Sequence, residues 1–353
     1  MPHDAGFTIE NVPLPEKDLI RRIRQLSSTR RSGHIPLGIG LGIGLGIGDD
    51  AAILRVPKGH ELLVTTDFSL ENIHFRRDWH PPESVGHRCL ARGLSDVAAM
   101  GGQPFAAFLS LALPADLPQR WVEGFLRGLL DLADRHGVTL AGGDTAQSPS
   151  QSRRPASEAK ILADIVVLGS APSGKAVRRS GASPGDRIYV TGALGASALA
   201  LERLYAAPKL KLSPKRFPGH FYPQPRLAAG LALRGLATAM IDLSDGLSTD
   251  LDHLCEASGV IAEIAAESIP LAHDTTLEQA LHGGEDYELL FTAPATRKVP
   301  RSIGGVPVTF IGQIIAKQGM KRGKSCIQIS ELGQPSRELV PRGWEHFTNP
   351  RRP

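Results

Sequence analysis

The sequence predicts an α/β fold with mixed sheets, divided into two domains. Short apolar strands alternate with amphipathic helices from about residue 61 to residue 311. A stretch carrying Pro172, Gly174, Gly181, Pro184 and Gly185 interrupts that alternation and sets the domains at 1–170 and 171–353. The length of 353 residues agrees, at ~150 residues per domain.

Glu16 to Leu26 reads as a helix. Next comes Leu37-Gly-Ile-Gly-Leu-Gly-Ile-Gly-Leu-Gly-Ile-Gly48, with glycine at every even position from Gly38. Glycine at alternate places makes a poor strand, so the repeat is expected to be a lengthened flexible loop. Its even spacing excludes the GxGxxG dinucleotide fingerprint. Glu61 to Val64 is a strand running into Thr65-Thr66-Asp67. Pro81-Pro82 open a helix that Gly101-Gly102 stop. Pro104 to Leu113 is a strand. Trp121, Val122, Phe125, Leu129 and Leu132 mark a helix face that ends at Gly137. Val138 to Ala141 leads into Gly142-Gly143-Asp144. Residues 147–159 are a loop, and Ile161 to Leu168 is the next strand. Beyond the boundary, strand Arg187 to Val190 precedes a helix from about Gly195 to Tyr205. A proline-rich connection follows, then a helix ending near Leu236. Strand Ala239 to Ile241 runs into Asp242-Leu-Ser-Asp-Gly246. Leu247, Leu251, Leu254 and Cys255 form a helix face stopped by Gly259. Further strands are expected at 260–264, 287–292 and 307–311.

Composition excludes several classes of function. Hydrophobic residues at 41% and charged residues at 22% exclude wholesale disorder. A net charge of +4, spread as short arginine pairs, and only 5% aromatics argue against a nucleic-acid partner. The three cysteines form no CxxC, which excludes a disulfide framework or cysteine-rich zinc site. No apolar run approaches the ~20 residues of a membrane span. Met1 to Glu10 has no signal-peptide pattern. A cytoplasmic protein with no membrane partner is expected.

The chemistry should lie where the aspartates fall. Asp49-Asp50, Asp67, Asp144, Asp242 and Asp245 each follow a short apolar strand or a glycine turn. Asp96 sits in an apolar helix, and Glu285-Asp286 follow Gly283-Gly284. Singly, such residues are ordinary turn or cap residues, and Asp245 is a natural N-cap. Together they suggest carboxylates converging on one crevice, where cations must hold them. Oxygen-only ligands favour Mg2+ over zinc. Gly169 to Ala176 has Walker A spacing but ends in Ala176 where Ser or Thr is required, and no apolar helix follows, so a P-loop is rejected. No GxSxG supports a serine nucleophile.

Eight motifs occur in order: Gly46-Ile-Gly-Asp-Asp-Ala-Ala52, Thr65-Thr-Asp67, Asn72-Ile-His-Phe75, Leu94-Ser-Asp-Val-Ala-Ala-Met-Gly101, Gly142-Gly-Asp-Thr145, Arg179-Ser-Gly181, Ile241-Asp-Leu-Ser-Asp-Gly-Leu247 and Gly283-Gly-Glu-Asp-Tyr-Glu-Leu289. From about Gly46 to Phe347 the chain resembles the thiamine-monophosphate kinase family of the aminoimidazole-ribonucleotide-synthetase superfamily. The resemblance implies transfer of a phosphoryl group from ATP, as co-substrate, to thiamine monophosphate, assisted by several Mg2+ ions. It leaves room for K+ as an auxiliary cation. It implies Asp50, Thr65, Thr66, Asp67, Asp96, Asp144, Asp242 and Asp245 as Mg2+ ligands. It implies Gly143, Asp144, Arg179 and Ser244 as ATP contacts, and His74, Glu285 and Trp344 as thiamine-phosphate contacts. No residue is implied as a general base, since the acceptor phosphate is already ionised. The implied architecture is an N-terminal sheet that pairs with a second subunit into a barrel, hence a homodimer, plus a C-terminal α/β sandwich domain.

Two departures stand out: the glycine repeat before Asp49-Asp50, and a long 147–159 loop. Among superfamily rivals, a selenophosphate-synthetase-like enzyme wants a reactive cysteine near the N-terminus, yet the first here is Cys89, in a predicted helix. A hydrogenase-maturation relative wants a C-terminal cysteine, and this sequence ends Asn-Pro-Arg-Arg-Pro. Aminoimidazole-ribonucleotide synthetase lacks the combined Asn72-Ile-His-Phe75 and Gly283 to Leu289 pattern. A non-catalytic nucleotide sensor should have lost some implied metal ligands, and none is lost.

Overall fold

The computed structural model describes residues 13–28, 42–47, 49–149, 159–209, 211–317 and 325–347. Most of the 147–159 loop and the repeat residues 37–41 and 48 lie outside these. The chain forms two compact units. One comprises Met1–Leu94 with Pro104–Ser170, the other Ser95–Gln103 with Ala171–Pro353.

The first unit contains α1 (Glu16–Ser28), the hairpin strands β1 (Gly42–Leu45) and β2 (Ile53–Arg55), β3 (His60–Leu70), α2 (Pro82–Ala99, to Leu94), β4 (Gln103–Leu113, from Pro104), α3 (Gln119–His136), β5 (Thr139–Gln147) and β6 (Leu162–Pro172, to Ser170). Four strands make one sheet in the order β3-β6-β4-β5. Strand β3 alternates cleanly from Leu62 to Ser69. Leu63 and Ser69 are buried and Thr65 and Asp67 half-buried, while Leu62, Val64, Thr66 and Phe68 are exposed. That two-residue period puts Thr65 and Asp67 on the inner face and Thr66 on the outer one. Gly93 of α2 lies against the inner face, where an added Cβ would meet Val167 at 2.6 Å and Thr65 at 3.5 Å.

Small residues let α2 and α3 touch backbone to backbone. A Cβ on Gly86 would lie 1.9 Å from the Phe125 carbonyl oxygen, and one on Gly128 would lie 1.8 Å from that of Glu83. Gly137 ends α3 in the left-handed conformation (φ 66°), as its position in the sequence predicts.

Three expectations are corrected here. Gly42–Leu45 is a strand rather than flexible loop. It pairs antiparallel with β2, and Ile43 packs against a cluster of Phe105, Ala106, Ala141 and Leu168. Glycine helps at this place, because a Cβ on Gly44 would crowd Ile53 at 3.2 Å. Asp67 and Asp144 do not end their strands, since β3 runs on to Leu70 and β5 to Gln147. The continuation of β5 is possible because Gly143 adopts φ 150° and passes so close to β4 that a Cβ would lie 1.9 Å from the Leu109 oxygen.

The second unit contains β7 (Asp186–Thr191), α4 (Ala196–Ala206), α5 (Pro218–Phe221), α6 (Leu227–Leu233), β8 (Ala239–Asp242), α7 (Leu247–Ser258), β9 (Val260–Ala265), α8 (Leu277–His282), β10 (Leu289–Pro294), β11 (Ser302–Ile303), β12 (Val306–Ala316), β13 (Ile327–Ser330) and β14 (Arg337–Glu338). Its sheet runs β14-β13-β9-β12-β7-β10-β8, with β11 paired to β12. The β13–β9 pairing is parallel and its neighbours are antiparallel, so the sheet is mixed. The predicted face of α7, Leu247, Leu251, Leu254 and Cys255, is buried against Ile188, Val190, Ile241, Leu290 and Ile314. Gly174-Lys175 forms a turn with no helix over 176–185, as the rejection of a P-loop requires.

Gly128→Ala tests the α2–α3 contact. The methyl cannot fit against the Glu83 carbonyl without parting the helices, so a loss of about 1–3 kcal/mol is expected in urea unfolding. Wild-type stability would mean that the helices are free to separate.

Candidate functional site

Each unit carries its own group of predicted site residues. In the first unit, Asp67 faces α2, and Arg92 Nε lies 3.7 Å from its carboxylate. Thr66, on the opposite face of β3, donates to Asp164 Oδ1 at 2.7 Å. The strand therefore does not present the side chains of Thr65, Thr66 and Asp67 together. Asp50 is exposed, and its N–H donates to Asp49 Oδ1 at 2.9 Å. Asp144 is also exposed and accepts from Thr145 N–H at 2.9 Å.

His74 sits in the turn after β3, where Asn72 takes φ 73°. The Leu70 N–H donates to His74 Nδ1 at 3.0 Å, so the neutral ring carries its proton on Nε2. Arg88 reaches the His74 carbonyl at 3.3 Å. Ser69, His74, Phe75, Val85, Arg88 and Arg92 line a small cavity beside it.

The second unit's group is built on the loop between β8 and α7. Asp242, the last residue of β8, is buried, and Ser95 Oγ donates to its Oδ2 at 2.7 Å. Asp96, half-buried, follows Ser95 in α2. The next three residues turn sharply. The N–H groups of Ser244, Asp245 and Gly246 all donate to one oxygen, Asp250 Oδ2, each at 3.1 Å. Asp250 is therefore the residue that shapes this loop, and the sequence reading missed it. The available signal was an acid four residues into a predicted helix on an otherwise apolar side. Asp245 is not the N-cap of α7. Gly246 holds that position with φ 113°, a conformation in which an aspartate side chain is strained. Burial pushes the Asp250 carboxyl well above the usual range, and the nearby Asp242 and Asp245 push it further in the same direction.

Two other segments dock on this loop. Glu285 N–H donates to the Ser244 carbonyl at 2.8 Å, and Tyr287 N–H to that of Leu243 at 2.9 Å. Both residues are left-handed, Glu285 at φ 65° and Tyr287 at φ 51°. Such strain in non-glycine residues persists only where surroundings over-determine it. Here the Asp286 carboxylate accepts from Gly195 N–H at the start of α4 at 2.8 Å. The buried Glu288 accepts from Arg226 Nε at 2.7 Å and Thr191 Oγ1 at 2.6 Å. From the other side, Trp344 N–H donates to the Asp245 carbonyl at 3.1 Å, with its own side chain half exposed. Ser244, Asp245, Glu285 and Trp344 are thus brought together.

Arg179 is not brought to them. Its carbonyl accepts from Ser258 Oγ at 3.0 Å, at the far end of α7 from Ser244, and twelve helical residues span about 18 Å.

Among the described residues, no three His, Cys, Asp or Glu side chains are grouped to hold a metal by themselves. The donors still suit Mg2+. They are all oxygen, and the crowding of Asp242, Asp245 and Asp250 is the kind that a divalent cation relieves. Mg2+ on a nucleotide needs only one or two carboxylates, its other ligands being water and phosphate oxygens.

Two family models cover the chain: AIR synthase related protein, N-terminal domain, over residues 48–171, and AIR synthase related protein, C-terminal domain, over 183–323. The thiamine-monophosphate kinase of Escherichia coli (strain K12) is 38% identical over 320 residues, covering 86% of this chain and 92% of the relative. The chain belongs to the thiamine-monophosphate kinase family. It is accordingly an enzyme, a kinase. The family's member from Bacillus subtilis (strain 168) is 32% identical over 95% of this chain and 100% of its own. Among solved structures, the family's enzyme from Stenotrophomonas maltophilia K279a matches with a TM-score of 0.73 at 35% identity, over 88% of this chain and 95% of that one. AaThiL complexed with AMPPCP and TMP matches with a TM-score of 0.70 at 31% identity, over 97% and 100%. No helix among the described residues is long and apolar enough to cross a membrane.

Asp286 gives this site a pH signature. Burial first, and Glu288 second, raise its carboxyl from 3.8 to about 7, against the lowering effect of the Gly195, Ser197 and Ala196 N–H groups. The folded state then binds a proton that the unfolded chain has released, so this residue's contribution to stability falls as pH rises from about 4 to 7. Asp286→Asn keeps the acceptor and abolishes the titration. The variant should gain on the wild type in urea midpoint between pH 5 and pH 8. An unchanged difference between the two pH values would contradict this.

Proposed function

We propose that this enzyme transfers the γ-phosphoryl group of ATP directly, in line, to the phosphate of thiamine monophosphate, giving thiamine diphosphate. The observation that carries the reading is the convergence of Ser244, Asp245, Glu285 and Trp344 on one loop whose geometry Asp250 dictates. Carboxylate, hydroxyl and aromatic groups held together in this way suit a substrate that joins an anionic phosphate to a cationic ring. The likeness to AaThiL complexed with AMPPCP and TMP supports the same substrates.

The acceptor oxygen is already ionised near neutral pH, so no residue need act as a general base. The barrier is the approach of two anions, and positioning and charge neutralisation lower it. Mg2+, when bound, supplies the neutralising charge. Asp50, Asp67, Asp96, Asp144, Asp242 and Asp245 are the carboxylates that would serve it. Thr65 would assist through its side chain, and Thr66 through its main chain, since its hydroxyl is turned to Asp164. Gly143, Asp144 and Ser244 would contact ATP, and Arg179 would reach phosphate only through its long side chain. His74 offers an Nε2 proton to the substrate, Glu285 a carboxylate, and Trp344 a ring face to the thiazolium.

We assign the two domains as 1–170 and 171–353 and the assembly as a homodimer. The support for pairing is the outer face of β3, an edge strand that exposes Leu62 (45%), Val64 (61%) and Phe68 (61%) in a row. So regular an apolar stripe on an edge invites a second sheet.

The test is turnover with ATP, Mg2+ and thiamine monophosphate, the diphosphate product being read by its fluorescent oxidation product. Wild-type activity should vanish with EDTA. Asp67→Asn should fall to background while far-UV circular dichroism stays native. Retained turnover in this variant would overturn the carboxylate assignment.

A further inference from the structure

The segment Arg342 to Trp344 reaches the Asp245 loop through a set of contacts that leave no room for a side chain at its centre. Gly343 N–H donates to Thr249 Oγ1 at 3.1 Å. A Cβ on Gly343 would lie 2.1 Å from the Asp245 carbonyl oxygen and 2.5 Å from Thr249 Oγ1. That carbonyl is the one that accepts from Trp344 N–H. Any side chain at 343 would therefore push the segment off the loop at the point where Trp344 is attached.

One residue earlier, Arg342 is fixed separately. Its guanidinium donates to Glu278 Oε2 at 3.0 Å and to His282 Nε2 at 2.9 Å. A guanidinium has no acceptor, so His282 receives on Nε2 and donates from Nδ1 to Ser248 Oγ, 2.8 Å away. Burial and then Arg342 lower the affinity of His282 for a second proton, which keeps the ring in the state this contact needs. Arg342 holds the segment to α7 and α8, while Gly343 sets its distance from the metal-side loop.

We propose that Gly343 is a positioning residue for thiamine monophosphate: by admitting the chain against the Asp245 carbonyl it fixes where the Trp344 ring stands. The inference rests on the reading of Trp344 as a substrate contact. It adds that the ring's placement is tied, through one peptide, to the loop carrying Ser244 and Asp245.

Steady-state kinetics test it. Gly343→Ala should raise KM for thiamine monophosphate at least tenfold, with KM for ATP within twofold of wild type and melting temperature nearly unchanged. Thr249→Val, which removes the Gly343 N–H acceptor and adds no bulk at 343, should shift the same KM in the same direction by a smaller factor. If Gly343→Ala fails to fold, Thr249→Val decides, and an unchanged KM for thiamine monophosphate in that variant overturns the proposal. A parallel rise in both KM values, or a wild-type KM for thiamine monophosphate in Gly343→Ala, also overturns it. Trp344→Ala separates the two claims. A wild-type KM there removes the substrate reading of the ring, whereas a raised KM there beside a wild-type Gly343→Ala defeats this inference alone.

Discussion

A single carboxylate oxygen, Asp250 Oδ2, accepts three consecutive backbone N–H groups at 3.1 Å each. Burying a carboxylate is costly, and an unpaired one would not survive at 2% exposure. Three donors offset the cost and fold the chain sharply before α7. The turn exposes two carbonyls, those of Ser244 and Asp245, and each is taken by a different segment, Glu285 on one side and Trp344 on the other. The same turn leaves Asp242 and Asp245 near a buried acid, a build-up of negative charge suited to a cation. Loop shape, the docking of Glu285 and Trp344, and local charge thus follow from one side chain within the second unit.

The second unit also explains how strained residues are tolerated there. Glu285 and Tyr287 hold left-handed conformations that cost of the order of 1–3 kcal/mol each. Between and beyond them, Asp286 and Glu288 are fastened by α4, Arg226 and Thr191. Alternate residues of this stretch anchor while Glu285 presents. That division of labour is the physical content of the Gly283 to Leu289 motif.

Much of this was legible in the sequence. Helices with a clear 3.6-residue face and a glycine stop, such as α3 and α7, were placed to within two or three residues, because periodicity and termination are local properties. Within the motif around 242–245, Ser244 and Asp245 lie beside Glu285 and Trp344 through their main chains. What was hidden depends on neighbours far along the chain. The ends of β3 and β5 are set by pairing partners, so Asp67 and Asp144 turned out to lie within strands. The strand period sends Thr66 away from Thr65 and Asp67, a consequence available from sequence once the strand was known to continue. The glycine repeat pairs over Gly42–Leu45 because Ile53 lies against it. Asp250 was overlooked for the same reason: an acid inside a helix announces nothing until its three donors are seen.

The central claim is that Asp250 builds the loop on which Ser244, Asp245, Glu285 and Trp344 meet and, on the function proposed above, on which Mg2+ binding depends. The most direct measurement is the Mg2+ dependence of the initial rate for Asp250→Asn, with circular dichroism confirming the fold. The amide retains a single carbonyl acceptor and sets donors of its own against the loop's N–H groups. The account predicts that the Mg2+ concentration for half-maximal rate rises at least about tenfold, equivalent to about 1.4 kcal/mol. A folded variant with the wild-type Mg2+ requirement would contradict it.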